Sequence, residues 1–303
     1  MPPLAQSDPA AAVREADLLP EAPASVWQPL PGYAELLAAR HEAHRATFAA
    51  MIGDLPLAPD SRVLDVAIGD GFYTQLLTER TPECPTTGLD VSRDFLAFAD
   101  EAYVDTTAAD LVAGDAESLP FADGTFDLVW CAHSLRSLPD AETAVREWAR
   151  VSRGHVAVLE NDRIHGVMLP WPPEIELAWY HAECAASDDE CGRRLGGLHS
   201  GRRLHRLALA CDLELVSKRT YLTESAPPSD EARAFLKLHL GDLAERCGDR
   251  LDASIRDEAM AYVDPAGEHY LPAADDLEMT FFDSVGLMRK KPPGKSQKSP
   301  KKA

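Results

Sequence analysis

A glycine-containing turn follows a short apolar run early in the chain, at Gly69 and Gly71. The preceding run, 63–66, has the composition of a buried strand, and the residues after the turn favour a helix. Glycine has no Cβ atom, so backbone N–H groups at such a turn can approach a ligand closely. A nucleotide-type ligand would also call for an acidic residue at the end of the next strand, about 20 residues on. Asp90 occupies that position.

Strands and helices alternate on both sides of this turn. This alternation predicts an α/β fold with a doubly wound, mostly parallel sheet, because parallel strands require helical crossovers. The predicted strands are 61–67, one ending at Asp90, 109–115, 126–132 and 155–160, and the predicted helices are 33–53, 72–80, 93–103 and 140–152. Two further strands are predicted at 213–222 and 277–289, which makes seven.

The second half of the chain is less regular and carries additional helical patterns. Helices are predicted over 173–195 and 201–211. We interpret the less regular stretches as helical insertions that cover the carboxyl edge of the sheet, where ligands bind in such folds. The predicted organisation is a loose N-terminal arm (1–30), one domain (31–289) with its core at 60–160 and insertions at about 161–199 and 224–275, and a basic disordered tail (290–303).

The composition narrows the classes of partner. The chain has 303 residues, of which 30 are basic and 50 acidic, for a net charge of −20. An acidic body repels nucleic acid phosphates, so a small-molecule substrate is the predicted partner. No apolar run is long enough to span a bilayer, and the acidic N-terminal segment does not resemble a signal peptide. A cytoplasmic protein is predicted, and its oligomeric state is left open.

Four ordered segments carry a resemblance to a known family. The segments Val63–Thr74, Gly88–Ser92, Gly114–Phe121 and Phe126–Val129 resemble class I S-adenosylmethionine-dependent methyltransferases, and are closest to the small-molecule branch often called type 11. The resemblance covers residues 60–160. It implies a Rossmann-like, seven-stranded sheet with a reversed last strand, and S-adenosylmethionine as the cofactor. It also implies methyl transfer to an unidentified small molecule at O, N or C, with S-adenosylhomocysteine as the product.

The resemblance also implies which residues contact the cofactor. Asp65 would orient the loop or the methionine ammonium, and Asp90 would accept hydrogen bonds from both ribose hydroxyls. Asp115 would accept from the adenine amino group. The full set of implied cofactor residues is Asp65, Ala67, Gly69, Gly71, Asp90, Val91, Asp115, Ala116 and Cys131.

The chain departs from the family pattern at two places. Ala67 replaces the first of three alternating glycines, and alanine disfavours a positive φ. The usual tandem histidine after the fourth strand is also absent, since Arg136 and Ser137 stand there. The alanine at position 67 predicts that the turn fits the family pattern slightly less well.

His133 and Glu160 are the candidate catalytic residues. His133 follows the fourth strand, nearest the expected methyl group, and Glu160 ends the fifth. A general base helps only when the acceptor atom carries a proton, because methyl transfer otherwise needs mainly positioning. Either residue could equally be structural. Other candidates at the same edge are Asp162, His165 and His199, and no residue pattern indicates a metal site.

Two alternatives share the predicted fold. A nicotinamide-dependent oxidoreductase would have the pattern G-x-G-x-x-G, and Thr74 occupies its third glycine position. A non-catalytic S-adenosylmethionine-binding protein would keep the same cofactor residues. The sequence favours the methyltransferase over the first alternative and does not exclude the second.

Overall fold

The computed structural model describes residues 32–103, 109–162, 166–191 and 200–291. The predicted N-terminal arm, His165, His199 and residues 292–303 of the basic tail lie outside these ranges. Within the described ranges, the main helices are α1 Gly32–Gly53, α2 Phe72–Arg80, α3 Arg93–Tyr103, α4 Ala141–Val151, α5 Pro173–Cys191, α6 Ser200–Ala210, α7 Asp230–Cys247 and α8 Arg256–Met260.

One sheet contains every strand of the described residues. The strands are β1 Val63–Val66, β2 Thr87–Asp90, β3 Asp110–Ala113, β4 Phe126–Ala132, β5 Ser152–Glu160, β6 Val167–Met168, β7 Leu213–Ser225 and β8 Met279–Lys290. The seven predicted strands are present, and the two-residue strand β6 is an eighth that the sequence pattern did not reveal. It is too short to show an alternation of apolar and polar residues.

The strand order confirms the doubly wound, mostly parallel fold. Strands β3, β2, β1, β4 and β5 lie side by side and run parallel. Strand β8 runs antiparallel to β5, and β7 runs antiparallel to β8. The order reverses between β1 and β4, which makes the carboxyl ends of these two strands the switch point where ligands bind in such sheets.

Helices cover both faces of the sheet. On one face, Val145 and Trp148 of α4 and Leu204 of α6 are buried against the strands. On the other face, Phe48 of α1 packs with Trp130 of β4. These apolar contacts hold α1 and α2 on the same face of the sheet. As a result, α1 lies next to the carboxyl ends of the strands.

Helices α5, α7 and α8 form a separate apolar cluster, which we call the helical cap. Its buried residues include Trp179 and Phe235, together with Phe281 near the start of β8. Because Glu160, the last residue of β5, pairs with Ser284, the start of β8 extends beyond the carboxyl end of β5. The cap therefore lies over the carboxyl edge, as the predicted insertions require.

Candidate functional site

The turn after β1 adopts left-handed backbone conformations at three positions. Gly69 and Gly71 have φ of 56° and 81°, and Ala67 has φ of 58°. The backbone N–H groups of Ala67 and Ile68 both donate to the carbonyl of Leu89, at 2.7 and 3.2 Å. The left-handed conformation costs an L-residue about 1–2 kcal/mol. Ala67 therefore adopts the same left-handed conformation as the two glycines. These two hydrogen bonds hold its backbone in that strained conformation.

The carboxylate of Asp90 lies against this turn at the end of β2. Its Oδ2 accepts a hydrogen bond from the backbone N–H of Gly69 at 3.0 Å, and its Oδ1 accepts one from Ser92 at 2.8 Å. The side chain is buried, and burial raises its pKa above the ordinary value, opposed by these backbone donors. The structure therefore brings together the two parts of the predicted site that are separated by 21 residues.

Asp65 is buried within β1 and points towards α2. Its Oδ2 accepts a hydrogen bond from the hydroxyl of Thr74 at 2.7 Å. Burial raises the pKa of Asp65 to about 8, and the charges of Asp90 and Asp70 add to this shift. The contact corresponds to the loop-orienting role, since it ties β1 to the first turns of α2. Thr74 thus has a function that the glycine of an oxidoreductase could not perform.

The turn after β3 holds Asp115 and Ala116. Oδ1 of Asp115 accepts from the backbone N–H of Glu117 at 2.8 Å, and the carbonyl of Ala116 accepts from Nε1 of Trp148 at 3.0 Å. The second contact fixes this turn to α4. Because Gly114 donates to the carbonyl of Asp90 at 3.0 Å, the turn lies directly beside the end of β2.

Two other predicted cofactor residues lie at the same edge. Val91 follows Asp90 and is half-buried. Cys131 pairs in register with Val66, so it lies in the sheet beside the residue that precedes the glycine turn. Its side chain is fully buried in the core, and burial raises the pKa of its thiol.

His133 follows β4 and has a strained backbone, with φ of 53°. Its backbone N–H donates to the carbonyl of Leu159 at 2.8 Å, and its ring nitrogens have no hydrogen-bond partner among the described residues. The Nε2 atom lies 3.6 Å from Oδ1 of Asp283. Burial lowers the pKa of His133 well below its usual value, and the positive charge of Arg40 adds to this. The imidazole is therefore neutral near pH 7 and able to accept a proton.

Glu160 ends β5, the strand next to β4. It is buried, and its Oε1 accepts a hydrogen bond from the backbone N–H of Leu135 at 2.9 Å. Burial raises the pKa of Glu160 to about 7, while the Leu135 N–H and the charges of Arg136 and Arg40 oppose the shift. A carboxyl group with this pKa can be protonated or ionised at neutral pH, as general acid–base chemistry requires.

Several charged residues of the site were not predicted from the sequence. Arg40 of α1 donates from Nη2 to Oδ1 of Asp283 at 2.8 Å, and Nδ1 of His41 lies 2.8 Å from Oδ2 of Asp70. All four side chains lie at the carboxyl edge of the sheet, and each belongs to α1 or contacts a residue of α1. The one available signal was Asp283, which is the single carboxylate of β8.

The candidate Asp162 has a structural partner instead. Its Oδ1 accepts from the backbone N–H of Arg202 at 3.1 Å, and its Oδ2 forms an ion pair with the Arg202 side chain. These contacts join the residues after β5 to the start of α6. Within the described ranges, no group of three or more His, Cys, Asp or Glu side chains is arranged to hold a metal ion.

Comparison with known proteins finds a family that matches part of the chain. Residues 64–158 match a family described as the methyltransferase domain. A demethylmenaquinone methyltransferase of Thermotoga maritima is 36% identical over 101 residues, which cover 33% of this chain and 43% of that protein. One of Staphylococcus aureus is 33% identical over 125 residues, which cover 40% of this chain and 52% of that protein. This chain thus spans about half the length of these curated relatives.

A solved structure supports the fold over a longer span. A candidate methyltransferase of Bacillus halodurans has a TM-score of 0.52 and 17% sequence identity, over 82% of this chain and 100% of that chain. Such identity establishes the fold alone. None of the helices in the described ranges has both the length and the apolar character needed to cross a membrane.

Proposed function

We propose that this chain is a class I methyltransferase that transfers a methyl group from S-adenosylmethionine to a small molecule, because its residues 64–158 match a family described as the methyltransferase domain. The observation that supports this most strongly is the placement of Asp90. Its carboxylate lies beside the left-handed turn at the switch point of the sheet. The activity of the whole chain and the identity of its acceptor are part of the proposal.

The residues at the edge fit the cofactor. A carboxylate has about four lone-pair sites, and the carboxylate of Asp90 already accepts from the backbone N–H groups of Gly69 and Ser92, with a further contribution from that of Val91. The remaining capacity can accept from the hydroxyls of a ribose. Asp115 and Ala116 lie on the neighbouring strand end and would hold the adenine, while Gly69 and Gly71 would line the methionine end. When bound, the cofactor supplies an electrophilic methyl group on a sulfonium.

His133 acts as the base in this proposal. It would take a proton from the acceptor atom, and the electron pair that remains on that atom would bond to the methyl carbon while the bond from that carbon to the sulfonium sulfur breaks. The electrons of the broken bond would stay on the sulfur, which would leave S-adenosylhomocysteine. The ring nitrogens have no hydrogen-bond partner among the described residues, and the lowered pKa keeps the imidazole in the neutral form that can accept a proton, while making it a weaker base than a free histidine. Glu160 would contact the acceptor from the next strand. An acceptor atom that carries a proton, such as a hydroxyl or amine, is therefore favoured.

The acceptor itself is proposed only as a small molecule. The family match ends at residue 158, before β8 and the helical cap, and it begins after α1. The residues of α1 and β8 that face His133 therefore lie outside the segment that matches the family. Demethylmenaquinone, which the names of the relatives specify, is consequently one acceptor to test among others.

Calorimetric titration with S-adenosylmethionine, S-adenosylhomocysteine and NAD tests the cofactor. We expect binding of the first two and none of NAD, with binding strongly weakened in Asp90→Asn. The matched control is Asp100→Asn, an exposed residue of α3, which should bind as the wild type does. NAD binding alone would support the oxidoreductase alternative. Equal affinity in both variants would refute the placement of the ribose.

Methyl transfer is tested separately from binding. The protein is incubated with S-adenosylmethionine that carries a labelled methyl group and with a panel of hydroxyl- and amine-bearing small molecules, demethylmenaquinone included. Transfer to a member of the panel would support the proposal. Tight cofactor binding without transfer to any member would favour the non-catalytic alternative.

A further inference from the structure

We propose that Asp283 is a positioning residue for His133: it holds the imidazole with Nε2 protonated, which leaves Nδ1 to accept the proton of the methyl acceptor. Arg40 in turn holds Asp283. This inference rests on the proposed function, in which His133 is the base. It assigns a role to two residues outside the family match, one on α1 and one on β8.

One carboxylate oxygen of Asp283 lies between the side chains of Arg40 and His133. Oδ1 of Asp283 accepts from Nη2 of Arg40 at 2.8 Å, and the same oxygen lies 3.6 Å from Nε2 of His133. A separation of 3.6 Å is longer than a hydrogen bond. Contacts between a base and its orienting group are often long before substrate binds and shorten in the reactive complex. A carboxylate can only accept, so once the contact shortens to a hydrogen bond the nitrogen that faces it carries the proton.

Asp283 is suited to hold a fixed direction. It occupies an inward position of β8, between the buried residues Phe281 and Val285. A buried carboxylate is costly unless it is paired, and Arg40 supplies the pairing charge, with a second hydrogen bond from the side chain of Asn161. Burial raises the pKa of Asp283, and both partners act against this by favouring the ionised form.

Neighbouring side chains of the described residues restrain the ring of His133 but form no hydrogen bond with its nitrogen atoms. Its side chain is 17% exposed, and the rings of Tyr73 from α2 and Phe48 from α1 lie 6.4 and 6.5 Å from it. The charged and titratable groups that face it are Arg40, His41, Tyr73, Arg136 and Asp283. Among these groups, Asp283 is the one whose carboxylate oxygen lies within 4 Å of a ring nitrogen of His133. The positive φ of His133 is a further sign of an imposed orientation, because strained residues persist where the surroundings determine them.

The proton inventory follows from this arrangement. When the acceptor loses its proton, the bond from that proton to the acceptor atom breaks and a new N–H bond forms at Nδ1. The electron pair stays on the acceptor atom. The imidazolium that results is stabilised by the carboxylate of Asp283, which itself stays ionised, as in other pairs of a histidine and an aspartate.

The alternative explanation is purely structural. Asp283 could serve only to bind Arg40 and so attach α1 to β8. In that case the ring of His133 would have no preferred tautomer, and replacing the carboxylate would affect stability alone. The tautomer of His133 therefore separates the two explanations, and measuring it requires no methyl acceptor.

The test is nuclear magnetic resonance of the full chain with ¹⁵N-labelled histidine. The His133 signals are identified by their loss in His133→Gln, and the nitrogen shifts report which ring atom is protonated. The variants are Asp283→Asn, which keeps the size of the side chain and an oxygen for Arg40, and Asp276→Asn as a matched control on an exposed residue. Calorimetry with S-adenosylmethionine is performed on the same samples.

We expect wild type and Asp276→Asn to show protonated Nε2 and unprotonated Nδ1, and Asp283→Asn to lose this preference. A wild-type ring protonated at Nδ1, or a mixture of tautomers, would overturn the inference even if Asp283→Asn does not fold. An unchanged spectrum in Asp283→Asn would overturn it as well. Failure of the wild type to bind S-adenosylmethionine would instead count against the proposed function, which is thereby tested apart from the tautomer.

Discussion

The Nδ1 atom of His41 lies 2.8 Å from Oδ2 of Asp70, and both side chains are buried. His41 belongs to α1, whereas Asp70 lies between the two glycines of the turn at the switch point. The ring of His41 also stacks on Phe72 with centroids 4.3 Å apart, and Oδ1 of Asp70 accepts from the Phe72 N–H at 3.2 Å. The first helix is thus fastened directly to the turn that would contact the cofactor.

Replacing Asp70 should therefore destabilise the fold as well as the turn. Asp70→Ala leaves the ring of His41 and the N–H of Phe72 without these partners, so we expect the free energy of unfolding to fall by about 1–3 kcal/mol. Urea unfolding followed by circular dichroism measures this change. The exposed residue Asp60 provides the control, since Asp60→Ala should change stability by no more than about 0.5 kcal/mol. Equal losses in both variants would contradict the role of the contact.

The strain at Ala67 predicts an unusual stabilising substitution. Glycine adopts a positive φ freely, so Ala67→Gly removes a cost of about 1–2 kcal/mol and adds a backbone entropy cost of about 0.5–1 kcal/mol. We expect a net stabilisation of about 0.5–1 kcal/mol in the same unfolding assay. The same change at the exposed helical residue Ala97 should destabilise. Two effects of the same sign would show that Ala67 is not strained.

Asp65 should make stability fall as the pH rises. Its pKa is about 8 in the folded chain and about 3.9 in an unfolded one. Between these values the folded state keeps a proton that the unfolded state releases, which costs up to about 1.4 kcal/mol per pH unit. Below pH of about 4 both states are protonated and the penalty vanishes.

Asp65→Asn cannot titrate, and its side-chain oxygen can still accept from Thr74. We expect its stability to decline less than that of the wild type between pH 4 and pH 8 in unfolding experiments at each pH. Some decline should persist, because the pKa of Glu160 is also raised, to about 7. Asp100→Asn, on an exposed residue, should keep the wild-type slope, and a parallel curve for Asp65→Asn would contradict the prediction.

His133 should affect turnover and not cofactor binding. With an acceptor identified by the transfer assay, we expect His133→Gln to lower kcat by about 10²- to 10⁴-fold, the usual contribution of a general base. The Kd for S-adenosylmethionine should be unchanged by calorimetry. His155→Gln is the matched control, since His155 is half-buried at the opposite end of β5. A His133→Gln enzyme with full turnover would remove the base from the mechanism.

Local patterns made the cofactor half of the site predictable. Asp90 could be identified because its distance from Gly69 along the chain is set by one helix and one strand, which vary little in length. The predicted last strand, 277–289, corresponds closely to β8. The doubly wound, mostly parallel class of the sheet followed from the same patterns, since alternating strands and helices leave few possible topologies.

The residues near the proposed site of the methyl acceptor could not be predicted in the same way. Arg40 and Asp283 are separated by 243 positions, and nothing in the residues near either one indicates the other. Their contact depends on how α1 packs across the sheet, which is decided by apolar side chains such as Phe48. The conformation of Ala67 was also unpredictable from residue type, because hydrogen bonds to Leu89 override the preference of alanine.

The pairing of Arg40 with Asp283 has a consequence for how the protein is made. A chain still emerging from the ribosome presents α1 and the strands that carry Asp65 and Asp90 long before β8 is synthesised. Until then β5 lacks its antiparallel neighbour, and its exposed edge is open to wrong pairing. The strands that carry Asp65 and Asp90 can therefore pair early, whereas the contact between Arg40 and Asp283 forms only when β8 is added to the sheet.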